Sequence, residues 1–198
     1  TASGKSELAV KLAKKFNGEV ISADSRQVYK GMNIGTGKVT QKEMRGIPHH
    51  LLNIASPKRR FTVSQYRRLA ILAIASIARR KKLPILVGGS PFYIYAVVDG
   101  WVIPEVKPNA KLRKELEELT TEQLLKKLQK LDPQRAKTIE QKNPRRLIRA
   151  LEIVITTKKP VPQFQKHPLP YPMLFIGIKK SQEELKKRIQ KRISVLFR

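Results

Sequence analysis

The feature that most constrains this chain is the tripeptide Gly4-Lys5-Ser6, which runs straight into a helical pattern. Leu8, Leu12 and Phe16 recur at the spacing of one helix face, and Asn17-Gly18 supplies the stop. This is the end of a phosphate-binding loop, G-x-x-x-x-G-K-[ST]. The glycine lets backbone amides close around a phosphate, the lysine brings a point charge, and the hydroxyl ligates Mg²⁺ at a positive helix terminus. The first glycine of the pattern, and the strand that normally feeds the loop, would precede Thr1. The sequence is therefore expected to be a fragment whose first strand is missing.

The segments after the loop fit it. Glu19 to Ala23 is a short strand-like run ending at Asp24, and an amphipathic helix from about Ser64 to Arg80 leads into a second apolar run, Leu83 to Val87, closed by Gly88-Gly89-Ser90. Strand, helix and strand in this order predict an α/β fold: a P-loop-type parallel sheet flanked by helices, with ligands at the carboxyl ends of its strands. From Pro104 the composition turns charged and helical, with helices predicted over 111–119, 121–131, 133–141 and 144–156. Met173 to Ile178 reads as a strand again, and Ser181 with Glu184 forms a capping box opening a helix over 182–193. The expected organisation is a P-loop core over 1–103, an inserted all-helical subdomain over 104–166, and a return to the core over 167–198.

Composition limits the chemistry. Of the 198 residues 40% are hydrophobic, enough for a core, and there is no cysteine, so disulfides and thiolate zinc sites are excluded. Three scattered histidines argue against a histidine-based metal centre. The net charge is +27, with 18 basic against 5 acidic residues in the first 100 and 24 against 10 in the rest. Charge spread through a folded chain suits a polyanionic partner, of which nucleic acid is the commonest. No apolar stretch approaches the ~18 residues of a spanning helix and no leader opens the chain, so no membrane association and a cytoplasmic location are expected.

Phosphoryl transfer by such a loop calls for a second Mg²⁺-holding acid at a neighbouring strand end. Leu83 to Val87 ends in Gly88-Gly89-Ser90 without one, and the carboxylate sits instead at Asp24. Asp24 is placed to act as a base on an acceptor near bound phosphates, or to cap its own turn.

Three segments together, Thr1 to Ser6, Ile21 to Thr36 and Val87-Gly88-Gly89-Ser90, resemble the tRNA dimethylallyltransferases, also called tRNA isopentenyltransferases. Pro48-His49-His50-Leu51 and Asn143 to Glu152 match the same family. The resemblance implies Mg²⁺-dependent transfer of a dimethylallyl group from its diphosphate to the exocyclic amine of the adenosine beside the anticodon. It implies a diphosphate site at Thr1, Ala2, Ser3, Gly4, Lys5 and Ser6 with Arg188 and Arg192, and Mg²⁺ on Ser6. Asp24 becomes the general base. Ser90, where the family usually has threonine, keeps a hydroxyl for catalysis, while Pro91-Phe92 replaces a more usual small or polar pair. The anticodon stem-loop of tRNA, its target adenine flipped out of the stack, is expected at Asp24, Ser25, Arg26 and Gln27, at Arg113, and at Arg145, Arg146, Leu147, Ile148 and Arg149. For the arginines of the 144–156 helix a plain solvated face is the competing reading, and the same holds for Arg188 and Arg192. The paired His49 and His50 are read as local hydrogen-bond partners. The partners implied are tRNA and dimethylallyl diphosphate, acting on a monomer.

Two other functions remain open on the sequence. A free adenine nucleotide as acceptor would need no extended basic surface. A P-loop kinase or RNA-dependent ATPase would need the acid that the second strand lacks.

Overall fold

A computed structural model of the chain describes residues 2–163 and 165–196. The chain divides into two compact units, one formed by residues up to Trp101 together with those from Lys166 on, the other by Val102–Gln165.

The first unit carries α1 (Lys5–Lys15), β1 (Gly18–Ser22), α2 (Gln41–Met44), β2 (His49–His50), α3 (Val63–Arg79), β3 (Leu83–Val87) and α4 (Pro91–Val98). The second holds α5 (Ala110–Glu117), α6 (Thr121–Leu131), α7 (Pro133–Thr138) and α8 (Pro144–Thr157), after which α9 (Gln182–Leu196) belongs to the first unit again. The described strands form one parallel sheet in the order β2-β1-β3, with Val20 opposite His49 and Ile85. All five residues of β1 are buried, as a central parallel strand covered on both faces requires. On one face Ala9 and Ala13 of α1 pack on Val20, with Ile85 and Val87 beside them. On the other, Ile21 meets Tyr66, Ala70 and Ile77 of α3 and Tyr93 and Val97 of α4. α3 starts where Thr62 and Gln65 exchange side-chain and backbone hydrogen bonds in a complete capping box.

The amino end of β1 is fastened by charge. Glu19, 1% exposed, accepts both guanidinium nitrogens of Arg80 (2.5 and 2.8 Å) and Lys82 Nζ (2.9 Å), and pairs with His50 Nε2 at 2.7 Å. The Arg80 hydrogen bond above all, with Lys82 and His50, holds its carboxyl down at about 2 against the opposing effect of burial. This cluster leaves the carboxyl ends of β1 and β3, at Asp24 and Ser90, for other work.

In the helical unit Leu116, Leu124, Leu128, Leu147 and Leu151 make the core. Glu152, fully buried among them, accepts from Arg113 Nε (2.8 Å) and Nη2 (2.7 Å), from the Asn109 N–H (2.8 Å) and from Arg149. Burial would raise its pKa, but the Arg113 and Asn109 hydrogen bonds and then Arg149 outweigh it and hold the group at about 2.

The expected strand over 173–178 is not formed. The segment has no regular secondary structure, and Met173, Leu174, Phe175 and Ile176 stand in solvent, Leu174 at 86% exposure. It and β3 both line an apolar groove of about 570 Å³, and no ladder joins them among the described residues. The Ser181 and Glu184 capping box is half made. Ser181 Oγ accepts the Glu184 N–H at 3.2 Å, but the Glu184 carboxylate is taken by Lys180 and Arg188.

Candidate active site

The loop ahead of α1 turns on Gly4, whose φ of 91° is a left-handed conformation that glycine adopts without steric cost. Its carbonyl receives the Leu8 N–H at 3.0 Å, and the following amides open the helix N-terminus toward a cavity of about 770 Å³. Lys5 Nζ donates to Ser3 Oγ at 3.0 Å, folding the lysine back over the loop. The Ser6 hydroxyl, exposed at the first turn, has no partner among the described residues. Ala2, Ser3, Gly4, Lys5 and Ser6 all line the cavity; Thr1 lies outside the described residues.

The opposite wall comes from the strand ends. Asp24 Oδ1 accepts the N–H groups of Arg26 (2.8 Å) and Gln27 (3.3 Å), so one carboxylate oxygen does cap the turn. The other is left without a partner among the described residues, at the cavity wall. The two uses of Asp24 are compatible because they fall on different oxygens. Ser90 Oγ accepts the Ser25 N–H at 2.9 Å and donates to Ser25 Oγ at 3.2 Å, tying the two strand ends together. It stands at the N-cap of α4 but makes no cap hydrogen bond. Gly88 permits this approach, since a Cβ there would sit inside the Ala23 carbonyl. Beneath the wall Tyr66 and Tyr93 stack with centroids 3.9 Å apart; burial, then the nearby Tyr29 and Asp24, push the Tyr93 phenol up to about 12.

From α9, Arg188 reaches the loop, its Nη1 3.7 Å from where a Gly4 Cβ would stand, while Glu184 holds its Nε at 3.1 Å. Arg192 lines the cavity too, and its Nη2 donates to the Gly37 carbonyl at 2.6 Å. Ser25, Arg26 and Gln27 complete the wall.

Three nitrogen-bearing side chains of the lining were not anticipated. Lys191 stands between the two arginines, and its three-residue spacing from Arg188 was a usable sign. Arg45 ends α2 in a left-handed conformation, φ 49°, that no sequence pattern marks. His49 differs from its neighbour. His50 is indeed a local partner, of Glu19, but His49 pairs only its Nδ1, with the Ile47 carbonyl at 2.8 Å, and its buried Nε2 has no partner among the described residues. Burial above all lowers its pKa, which favours the neutral ring at the cavity wall.

The remaining expected residues lie in the helical unit. Arg113 and Arg149 are both committed to Glu152, and Arg149 also donates to the Val106 carbonyl at 3.1 Å. Leu147 and Ile148 are core residues, so their side chains are turned away from any ligand. Arg146 pairs with Glu140 at 3.0 Å on the surface, and Arg145 is exposed with no ion pair among the described residues. Asn143 caps α8 by accepting the Arg146 N–H at 3.3 Å, with Pro144 at its first turn.

No described helix is long and apolar enough to cross a membrane. The described residues also contain no cluster of three or more histidines or carboxylates suited to a metal ion.

Residues 27–198 match the sequence profile of the IPP transferase family. All of the chain aligns with a tRNA dimethylallyltransferase from Herpetosiphon aurantiacus at 40% identity, and 98% of it with one from Oceanobacillus iheyensis at 44%; it covers 64% of each. Among solved structures, a full-length tRNA isopentenylpyrophosphate transferase from Bacillus halodurans matches the whole chain with a TM-score of 0.65 at 40% identity, 63% of that protein being covered. A eukaryotic dimethylallyltransferase crystallised acting on tRNA matches with 0.81 at 32% identity, half of it covered. The chain thus spans less than two thirds of the length of these relatives. A P-loop and a strand-end carboxylate around one basic cavity accord with the profile match, and the chain belongs to the IPP transferase family.

Proposed function

We propose that this chain carries the donor site and the general base of a tRNA dimethylallyltransferase, which moves a dimethylallyl group from its diphosphate to the exocyclic amine of an adenosine beside the anticodon. The observation that carries the reading is the cavity itself, with a phosphate loop on one wall and a carboxylate oxygen without a partner on the other. The amides after Gly4, with Lys5, Arg188 and Lys191, receive the diphosphate. Asp24 takes the proton from the adenine amine as its nitrogen bonds to the first carbon of the prenyl group. The carbon–oxygen bond breaks, and the diphosphate leaves with the electron pair.

Mg²⁺ fits this donor set. It keeps most of its waters and prefers one or two protein oxygens plus phosphate oxygens, so a free Ser6 hydroxyl beside the diphosphate is enough without a carboxylate cage. Bound there, it would neutralise the leaving group. Ser90 acts through the Ser25 turn, holding the strand end that aims Asp24. The adenosine must leave its stack to enter the cavity, where Arg26 would hold an RNA phosphate at the wall; exposed Arg145 would be a separate phosphate contact on the helical unit. Location in the cytoplasm and a monomeric state go with this reading.

Asp24→Asn preserves the amide-capping oxygen and removes the base. It should lower turnover by roughly 10²–10⁴ while RNA and donor affinities stay within about threefold. Turnover equal to that of the unaltered protein would rule Asp24 out as the base.

A further inference from the structure

α4 is apolar on two faces. Tyr93, Ala96 and Val97 point into the core, as a helix packed on a sheet requires, but Phe92 and Tyr95 face outward at 62% and 47% exposure. They meet the ring of Trp101, just beyond the helix: Phe92 edge-on at 5.6 Å between centroids, Tyr95 nearly parallel at 6.3 Å. Trp101 is held in place, its Nε1 donating to Asp99 Oδ2 at 3.3 Å and its backbone N–H to the Ala96 carbonyl at 3.2 Å. Asp99 is in turn fixed by Lys166 at 2.7 Å. Three clustered rings, two of them in solvent, are unusual on a surface this charged. The cluster begins two residues after Ser90, which lines the cavity.

We infer that Phe92 and Tyr95, backed by Trp101, form a stacking shelf for an unpaired RNA base next to the one that enters the cavity. The inference rests on the reading of the cavity as an adenine site. Extracting one base leaves its neighbours without a stacking partner, and an exposed aromatic surface can supply one. RNA is favoured over an apolar protein partner because α4, which carries the shelf, starts directly after Ser90 of the cavity wall, and because the chain has a net charge of +27.

Trp101 is the single tryptophan of the sequence, so its emission reports on the shelf directly. The test titrates the protein with an RNA hairpin bearing an adenosine in an unpaired loop, and with a blunt RNA duplex of equal phosphate count. The hairpin should change Trp101 emission saturably and the duplex should not. Phe92→Ala combined with Tyr95→Ala should weaken hairpin binding by about tenfold or more, leaving duplex binding and the salt dependence of hairpin binding unchanged. Should the double variant not fold, the emission change in the unaltered protein decides. Hairpin binding by the folded variant that equals the unaltered protein's would overturn the shelf, as would altered self-association with RNA affinity intact. An unaltered protein that binds no hairpin would remove the RNA reading as well, so the two failures are distinguishable.

Discussion

The cavity and the Glu152 cluster of the helical unit use their cations in opposite ways. Around the cavity, Lys5 is bonded only to a serine hydroxyl, and Arg26, Arg45 and Lys191 have no carboxylate partner among the described residues. In the helical unit Arg113 and Arg149 are neutralised by the buried Glu152, and Arg146 by Glu140. A positive charge facing an open cavity without an anion is a site in waiting. One that closes on a buried carboxylate is part of the scaffold. Arg145 alone of the α8 arginines combines exposure with the absence of an ion pair among the described residues, so it should carry most of that helix's attraction for phosphate.

Breaking the scaffold pair should give the largest effect on stability. Glu152→Ala leaves two arginines facing an uncompensated interior and should destabilise the helical unit by about 3–5 kcal/mol, measured by denaturant unfolding. Donor binding in the other unit serves as the reference.

Acid should do the same gradually. Glu19 and Glu152 are held at about 2 in the folded chain, below the ~4.3 of an unfolded glutamate. Because the folded values are depressed, their stabilisation is complete above the unfolded value and is lost as pH falls toward the folded one. Melting temperature should therefore be nearly flat from pH 7 to about 5 and drop between about 4 and 2. Glu152→Gln should start lower and fall less steeply over that window.

A smaller effect is expected from Asn143→Ala, which removes the α8 cap and should lower stability by about 1 kcal/mol by the same denaturant measurement. The smallest change in stability belongs to Arg145→Ala, within about 0.5 kcal/mol, yet it should reduce the salt slope of RNA binding by about one counterion. A destabilising Arg145→Ala with an unchanged slope would reverse the division between scaffold and contact.

Much of the first unit is legible because its signals are local. The Gly-Lys-Ser turn and the bounds of β3 depend on neighbouring residues, as does the capped start of α8 at Asn143-Pro144 in the other unit, and they fall where the sequence puts them. β2 was not foreseen, since two residues beside β1 carry no periodicity. Met173 to Ile178 has the composition of a strand, but strand formation needs a partner edge, which composition does not encode. The arginines fail to sort by sequence for the same reason. Arg145 and Arg149 sit four apart on one helix, and only the fold shows that Glu152 has claimed one of them. His49 and His50 are adjacent and divide likewise, one against Glu19 and one at the cavity wall.

The most direct test of the central claim is the mass of a tRNA, or of an anticodon stem-loop, after incubation with the protein, dimethylallyl diphosphate and Mg²⁺. A gain of one dimethylallyl unit on adenosine, lost in Asp24→Asn while RNA binding persists, is the expected result. A gain that survives Asp24→Asn, or hydrolysis of ATP in place of any gain, would contradict it.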